Sequence, residues 1–329
     1  MKKVQSKWRI TASLLVLLLT AVLAAACGQP DQNKDPEGQA LETSAGAEDK
    51  EASGTKTVST VYGDIEVPIA AKRIVADDYL GSLIALDAIP VGTPGLHLKN
   101  PYYIEALAGV EDIGDYGNAS SEKIIALQPD LIITATNDDA RFQQMNKIAP
   151  TIAIPYGELK NAHEELNYFG ELLGLNEKAD KWLSDYDKRI AAAKARVDEA
   201  IPADATFTIF ERSDKAVWVY GDNFGRGGQP IYQALGRAPK AEVADEIMEK
   251  QWKELSMEIL PEYAGDYLVV TVGSTSEWNL QKFKEDPIWG SLEAVKQDRI
   301  YLWPEERSWY YDPIAVLAQT EELANWLAP

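Results

Sequence analysis

Cysteine, histidine and positive charge are in short supply in this sequence. Its 329 residues include one Cys and two His, and 32 Lys and Arg face 52 Asp and Glu, for a formal charge of −20. With Cys27 alone, no disulfide can form within the chain. His97 and His163 stand far apart, so no His/Cys cluster is available to hold zinc or manganese directly, and neither a metal site nor a cofactor is expected. G-x-S-x-G is absent, and any carboxylate pair is hidden among the many acids, so a secreted hydrolase has no visible site and the chain reads as a non-enzyme. The acid excess gives no support to nucleic-acid binding or to adhesion on anionic lipid.

Long apolar runs are also missing, apart from Leu14 to Leu23, which is too short for a good spanning helix. Lys2, Lys3, Lys7 and Arg9 precede it, and Ala24-Ala25-Ala26 leads from it to Cys27, the order of parts in a secretory signal over 1–26. Cys27 sits where a lipoprotein signal peptidase leaves the new N-terminus, so it is the expected diacylglyceryl acceptor. Ala24 stands where the bacterial lipobox usually has Leu, which leaves ordinary signal-peptidase cleavage as the alternative. Two acyl chains, at about 0.8 kcal/mol per buried CH₂, hold a protein on a membrane surface without a spanning helix. From 27 to 56 the chain is mostly Gly, Ala, Ser, Thr, Asp and Glu, with little to bury, and reads as a disordered tether.

Roughly 270 residues remain, which suggests two lobes. In the first, 57–175, Arg73–Ala76 reads as a buried strand, Leu80, Leu83, Ile84 and Leu86 follow at helical spacing, and Ala88–Gly92 reads as the next strand. Ser120–Leu127 is a helix stopped by Pro129, before a strand from Asp130 to Ile133. Alternating strand and helix implies parallel pairing. Between 176 and 201, Trp182, Leu183, Tyr186, Ile190, Ala193 and Val197 recur at three- and four-residue steps, with no Gly or Pro until Pro202. About 25 residues of helix span about 37 Å, enough to cross between lobes. The second lobe, 202–329, restarts with Thr206–Phe210 and Ala216–Tyr220 and ends in a helix opened by Asp312 and Pro313.

An internal echo joins the lobes. Ser120-Ser121-Glu122-Lys123-Ile124 precedes Asp130-Leu131-Ile132, and Ser256-Met257-Glu258-Ile259-Leu260 precedes Asp266-Tyr267-Leu268. Either this is a repeated helix-start signal, with Glu favoured in a first turn, or Glu122 and Glu258 are equivalent acidic knobs that grip one symmetric partner.

The segments KRIVADDYLGSLIALDAIPVG, EDIGDYGNASSEKIIALQPDLII, MNKIAPTIAIPY, VYGDNFGRGGQPIYQALG, LSMEILPEYAGDYLVV and WGSLEAVKQDRIYL, in this order from about Tyr62 onward, resemble the iron-siderophore periplasmic-binding-protein family, and most nearly its ferric-hydroxamate-binding lipoproteins of Gram-positive bacteria. The resemblance implies an α/β fold of two Rossmann-like lobes joined by one long α-helix, the class III plan, with the ligand in a shallow interlobe cleft. It implies a monomer, lipid-anchored on the outer face of the cell membrane, that delivers a ferric siderophore to an ABC permease dimer with its ATPase subunits. Glu122 and Glu258 would then meet permease arginines.

For ligand contacts the resemblance points to Phe224, where the family often has Trp, to Arg226, and to Trp309 and Tyr311 in ERSWYYDP. Lys99, Tyr102 and Arg141 are first-lobe candidates, because loops at the carboxyl ends of strands bind ligands in open α/β sheets; the bland alternative is that Lys99 and Arg141 are solvated charges. A hydroxamate siderophore surrounds the iron with its own oxygens, so the protein needs an aromatic wall and a few donors rather than metal ligands. A ferric tris-catecholate, with about three negative charges, would need several converging cations, for which Arg212 and Arg307 stand in reserve. Ferric catecholate, ferric citrate, cobalamin and haem are the alternatives within the family, and an adhesion lipoprotein is one outside it.

Overall fold

The computed structural model describes residues 54–213 and 216–329. The expected signal, Cys27 and nearly all of the expected tether lie outside the described residues. The tether's last two residues do not belong to it. Thr55 and Lys56 open an antiparallel hairpin, Thr55–Thr60 with Gly63–Pro68, whose Val58, Ile65 and Val67 pack on the first-lobe core. Composition marks these residues as polar, but alternation with β-branched side chains makes them a strand.

The first-lobe sheet is wholly parallel, in the order Glu111–Asp112, Gly92–Thr93, Ile74–Ala76, Leu131–Thr134, Thr151–Ala153. The strand expected over Ala88–Gly92 is only Gly92–Thr93, because Pro90 has no N–H to give a ladder. The second sheet runs Trp252–Leu255, Val217–Tyr220, Phe207–Arg212, Tyr267–Val272, Ile300–Pro304. Here Val217–Tyr220 is antiparallel to both neighbours, so the lobe departs from a pure Rossmann pattern. The reason is the connection: the link from Arg212 to Val217 is too short for a parallel crossover.

The echoed aspartates have a shared structural task. Asp130 accepts from the Lys72 and Arg73 backbone N–H groups, and Asp266 from the Thr206 N–H, so each pins the entry of a neighbouring strand.

The linking helix runs Asn176–Ala200. Its Ala179, Leu183 and Tyr186 belong to the first-lobe core, whereas Ala193 and Val197 belong to a second-lobe core with Phe207, Ile209 and Trp303. The C-terminal helix, Pro313–Leu327, does the same: Val316 and Leu317 are in the first core, Leu323, Ala324 and Leu327 in the second. Arg189 forks onto Glu321 at 2.8 and 2.7 Å, and Arg196 reaches Asn325 and the Ala328 carbonyl, holding the two helices side by side in the same direction. The last helix thus belongs to both lobes, not, as expected, to the second alone. Periodicity identifies a buried stripe but not the body that buries it.

At its start this helix is seated on Leu80–Ala85. Gly81 lies so close beneath Asp312 that a Cβ there would overlap the carboxyl group. Gly81→Ala is therefore expected to lower stability by about 1–3 kcal/mol, as overpacking does, seen as a lower urea midpoint with an unchanged slope.

Candidate functional site

Tight turning in the loop after Val217–Tyr220 sets up the second-lobe side of the site. Gly225, Arg226 and Gly227 follow one another at φ of 71°, 57° and 98°, all left-handed. A Cβ at Gly225 would run into the Trp309 carbonyl, and the Arg226 N–H donates to the Ser308 carbonyl at 2.6 Å. Arg226 is the non-glycine of the three, and holding it there costs on the order of 1–2 kcal/mol. The strain aims its guanidinium. Nε donates to Glu211 at 2.7 Å, the Tyr220 hydroxyl donates to the same oxygen at 2.8 Å, and the cation lies 4.8 Å from the Tyr220 ring, 5.4 Å from Trp309 and 5.8 Å from Phe224.

The three successive aromatics expected before the last helix go to three places. Trp309 is exposed beside Arg226, Tyr310 faces Tyr102 edge-on, and Tyr311 meets Tyr156 at 5.2 Å. Tyr156 is the hub between lobes. It also meets Phe224 at 5.1 Å, and its hydroxyl donates to the Asn223 carbonyl at 3.1 Å. Burial pushes its phenol up against the opposing pull of Arg226, and burial likewise pushes Tyr311 up. From Tyr156 and Phe224 a groove of about 580 Å³ continues past Lys160, Gln233 and Met248 to Trp252, which is 51% exposed. A slightly larger hollow of about 630 Å³, lined by Arg212, Val217, Met257 and Ile288, lies on the second lobe alone and shares no residue with the aromatic cluster. Converging rings and charges, rather than volume, mark the interlobe site.

Of the first-lobe candidates, Arg141 is mostly buried, 3.4 Å from Asp77, which also accepts from Thr134 and the Ala135 N–H. Tyr102 donates to the Arg307 carbonyl at 3.0 Å, under the Arg307 guanidinium, and so ties the lobes together. The Lys99 ammonium is exposed and has no partner among the described residues. Arg307 itself pairs with Glu322 at 2.7 Å, and Arg212 lies over the Trp278 ring at 3.4 Å. Glu122, in the first turn of Ser121–Ala126, and Glu258, in the turn before Leu260–Tyr263, are exposed, and neither carboxylate bonds another described residue.

Beneath the floor of the site is a cavity of about 50 Å³ lined by Asp78, His97, Glu165, Tyr311 and Asp312, among others. Glu165 is 1% exposed, takes a 2.5 Å hydrogen bond from Ser82, and is pushed well above the usual carboxylate range by burial. Asp312 caps the last helix by accepting from the Ile314 and Ala315 N–H groups, and burial raises it to about 7 in spite of them.

Tyr156, Asp78, Tyr116, Glu211 and Trp252 are functional candidates that reading the sequence did not single out. Asp78 and Tyr156 follow the carboxyl ends of Ile74–Ala76 and Thr151–Ala153, so the strand-end rule could have found both. Tyr116, at a hairpin tip between Gly114–Asp115 and Asn118–Ala119, carries no such signal.

Because the folded Asp312 titrates above its unfolded value of 3.8, its contribution to stability is present below about pH 4 and lost as pH rises through 7. Asp312→Asn, which caps about as well, is expected to flatten the decline in melting temperature between pH 4 and 7. Thermal melts across that range check it.

The model of the periplasmic binding protein family matches residues 74–307. The iron(3+)-hydroxamate-binding protein YxeB of Bacillus subtilis (strain 168) is 35% identical over 322 residues, 97% of this chain and 96% of its own. Among solved structures, the FhuD protein from S. pseudintermedius superposes with a TM-score of 0.74 at 30% identity, over 84% of this chain and 99% of that one. FhuD2 from Staphylococcus aureus with bound ferrioxamine B gives a TM-score of 0.69 at 29% identity, over 78% and 98%.

Proposed function

Since the chain belongs to the periplasmic binding protein family, we propose that it is the extracytoplasmic substrate-binding component of an ABC importer and holds a ferric hydroxamate siderophore between its lobes. The family is one of binding proteins, not enzymes. Among the described residues no helix is long and apolar enough to cross a membrane, and attachment through lipid on Cys27, as a monomer on the outer face of the cell membrane, is part of the proposal.

The observation that carries the ligand class is the pairing of the cleft's arginines. Arg226 is answered by Glu211, Arg141 by Asp77 and Arg307 by Glu322. A tris-catecholate would bring about three negative charges to cations already neutralised, with a large desolvation penalty to offset. A ferric hydroxamate asks less. The rings of Phe224, Tyr156, Tyr311 and Trp309 pack its apolar chain, and the remaining N–H groups of Arg226 donate to the oxygens around the iron. Phe224 in place of a larger indole leaves room at that wall, and Trp252 stands 6.4 Å beyond it. In this reading Lys99, Tyr102 and Arg141 contribute the first lobe's contacts to the ligand. YxeB is by its name a binder of iron(3+)-hydroxamate, which supports the same ligand class here.

Titration of the protein lacking residues 1–53 with ferrioxamine, ferrichrome, ferric catecholate and ferric citrate complexes, followed by Trp fluorescence, tests this reading. Quenching by the hydroxamates at submicromolar concentration is expected, since Trp309 and Trp252 flank the site. Tight binding by the catecholate alone would overturn the hydroxamate assignment, and silence with every siderophore would remove the siderophore.

Exposed and unpartnered, Glu122 and Glu258 fit permease arginines, one per lobe. Such contacts set register and encounter rate more than they add affinity. Uptake of radiolabelled ferric hydroxamate by cells carrying Glu122→Ala with Glu258→Ala is expected to fall at least tenfold while ligand affinity is retained; undiminished uptake would withdraw the docking role.

A further inference from the structure

Beside the arginine wall, the site has a second chemical face, built by the first lobe around Asp78. Its Oδ2 accepts from the Tyr116 hydroxyl at 2.9 Å and its Oδ1 from the Tyr79 N–H at 2.8 Å. No cation reaches it: among the described residues Asp78 makes no ion pair, in contrast to Asp77 beside it, which holds Arg141. A carboxylate has about four lone-pair sites, so roughly two remain open. Asp78 and Tyr311 line the same 50 Å³ cavity, Tyr311 meets Tyr156, and the Tyr116 ring stands edge-on to His97, another lining residue. Tyr116 and Tyr156 are 48% and 40% exposed, so the assembly opens to solvent. Among the described residues the buried Nδ1 of His97 has no hydrogen-bond partner, and its Nε2 is engaged with the Asp77 carbonyl at 2.9 Å.

We propose that Tyr116, Tyr156 and Tyr311 with Asp78 form an aromatic cage for an alkylammonium group, so that the protein selects ferric hydroxamates that carry a primary amine over neutral ones. Aromatic faces attract cations through their quadrupoles, and a half-buried carboxylate at the base of the cage supplies the counter-charge. The neighbouring charges agree with this sign. Arg226 on the opposing lobe is occupied by Glu211, and Arg141 by Asp77. An anionic tail in the same place would face the unpaired Asp78 carboxylate.

The assignment rests on the hydroxamate reading, and two ligands that differ at one atom group separate the two. Ferrioxamine B ends in a free ammonium; its N-acetyl derivative has the same iron centre and chain without the charge. The wild-type protein is expected to bind the ammonium form on the order of tenfold more tightly at low salt, with the ratio shrinking in 1 M NaCl. Asp78→Asn retains an acceptor for the Tyr79 N–H and should bring the ratio close to one; Tyr156→Leu, which removes one wall, should lower it independently if the first variant does not fold. Equal wild-type affinities for the two forms overturn the cage and leave the hydroxamate reading standing. Failure to bind either form overturns both.

Discussion

Two helices that are each buried by both lobes are the constraint on which the rest of the molecule depends. Leu183 and Tyr186 on the linking helix, with Val316 and Leu317 on the C-terminal helix, are enclosed by the first core, while Val197, Leu323 and Ala324 a few turns further on are enclosed by the second. Moving one lobe against the other would expose apolar surface on two helices at once, at about 25 cal/mol per Å². The lobes are therefore positioned by core packing more than by a hinge. The direct links from Tyr156 to Asn223, Gln233 to Lys160 and Tyr102 to Arg307 add to that position. A ligand meets walls that are largely preformed, and little of its binding energy is lost to ordering them.

The same junction concentrates unusual electrostatics. Asp312 caps the C-terminal helix at the point where Gly81 packs beneath it, and Glu165 is enclosed nearby, so the helix that welds the lobes starts from a pair of carboxyls held partly or wholly neutral by burial. Directly above are the rings of Tyr311 and Tyr156 and the open carboxylate of Asp78. On the other wall, Arg226 is strained in its backbone, paired with Glu211 and ringed by aromatics. The cleft has donors and aromatic surface but no unpaired arginine among the three at its edges, a composition suited to a chelate that has already satisfied its metal.

How far this was legible beforehand differed from element to element. The linking helix was read to within a residue, because 25 residues of unbroken periodicity leave few alternatives. The Asp312 cap was equally plain, since Asp followed by Pro at a helix start has one common meaning. The hairpin at Thr55 was not seen, being short, polar and contiguous with a low-complexity stretch. Val217–Tyr220 reads as a strand from its β-branched and aromatic residues, but its antiparallel direction depends on which strands it pairs with. In the candidate site, Phe224, Arg226, Trp309 and Tyr311 are expected from family likeness, whereas Asp78 and Tyr156 satisfy a strand-end rule that many other residues also satisfy.

From its order of residues alone, the chain determined local matters: which segments are helix or strand, where a cap or left-handed turn must stand, and that no disulfide can form within the chain. Those follow from near-neighbour sterics and hydrogen bonding, which act over a few residues. Which core buries each half of a helix, which carboxylate answers each arginine, and which tyrosine hydroxyl bonds Asp78 were decided only by the tertiary structure. Asp78, Tyr116, Tyr156 and Tyr311 are spread over more than two hundred positions, and charge pairing and ring packing depend on distance in space, which periodicity does not encode.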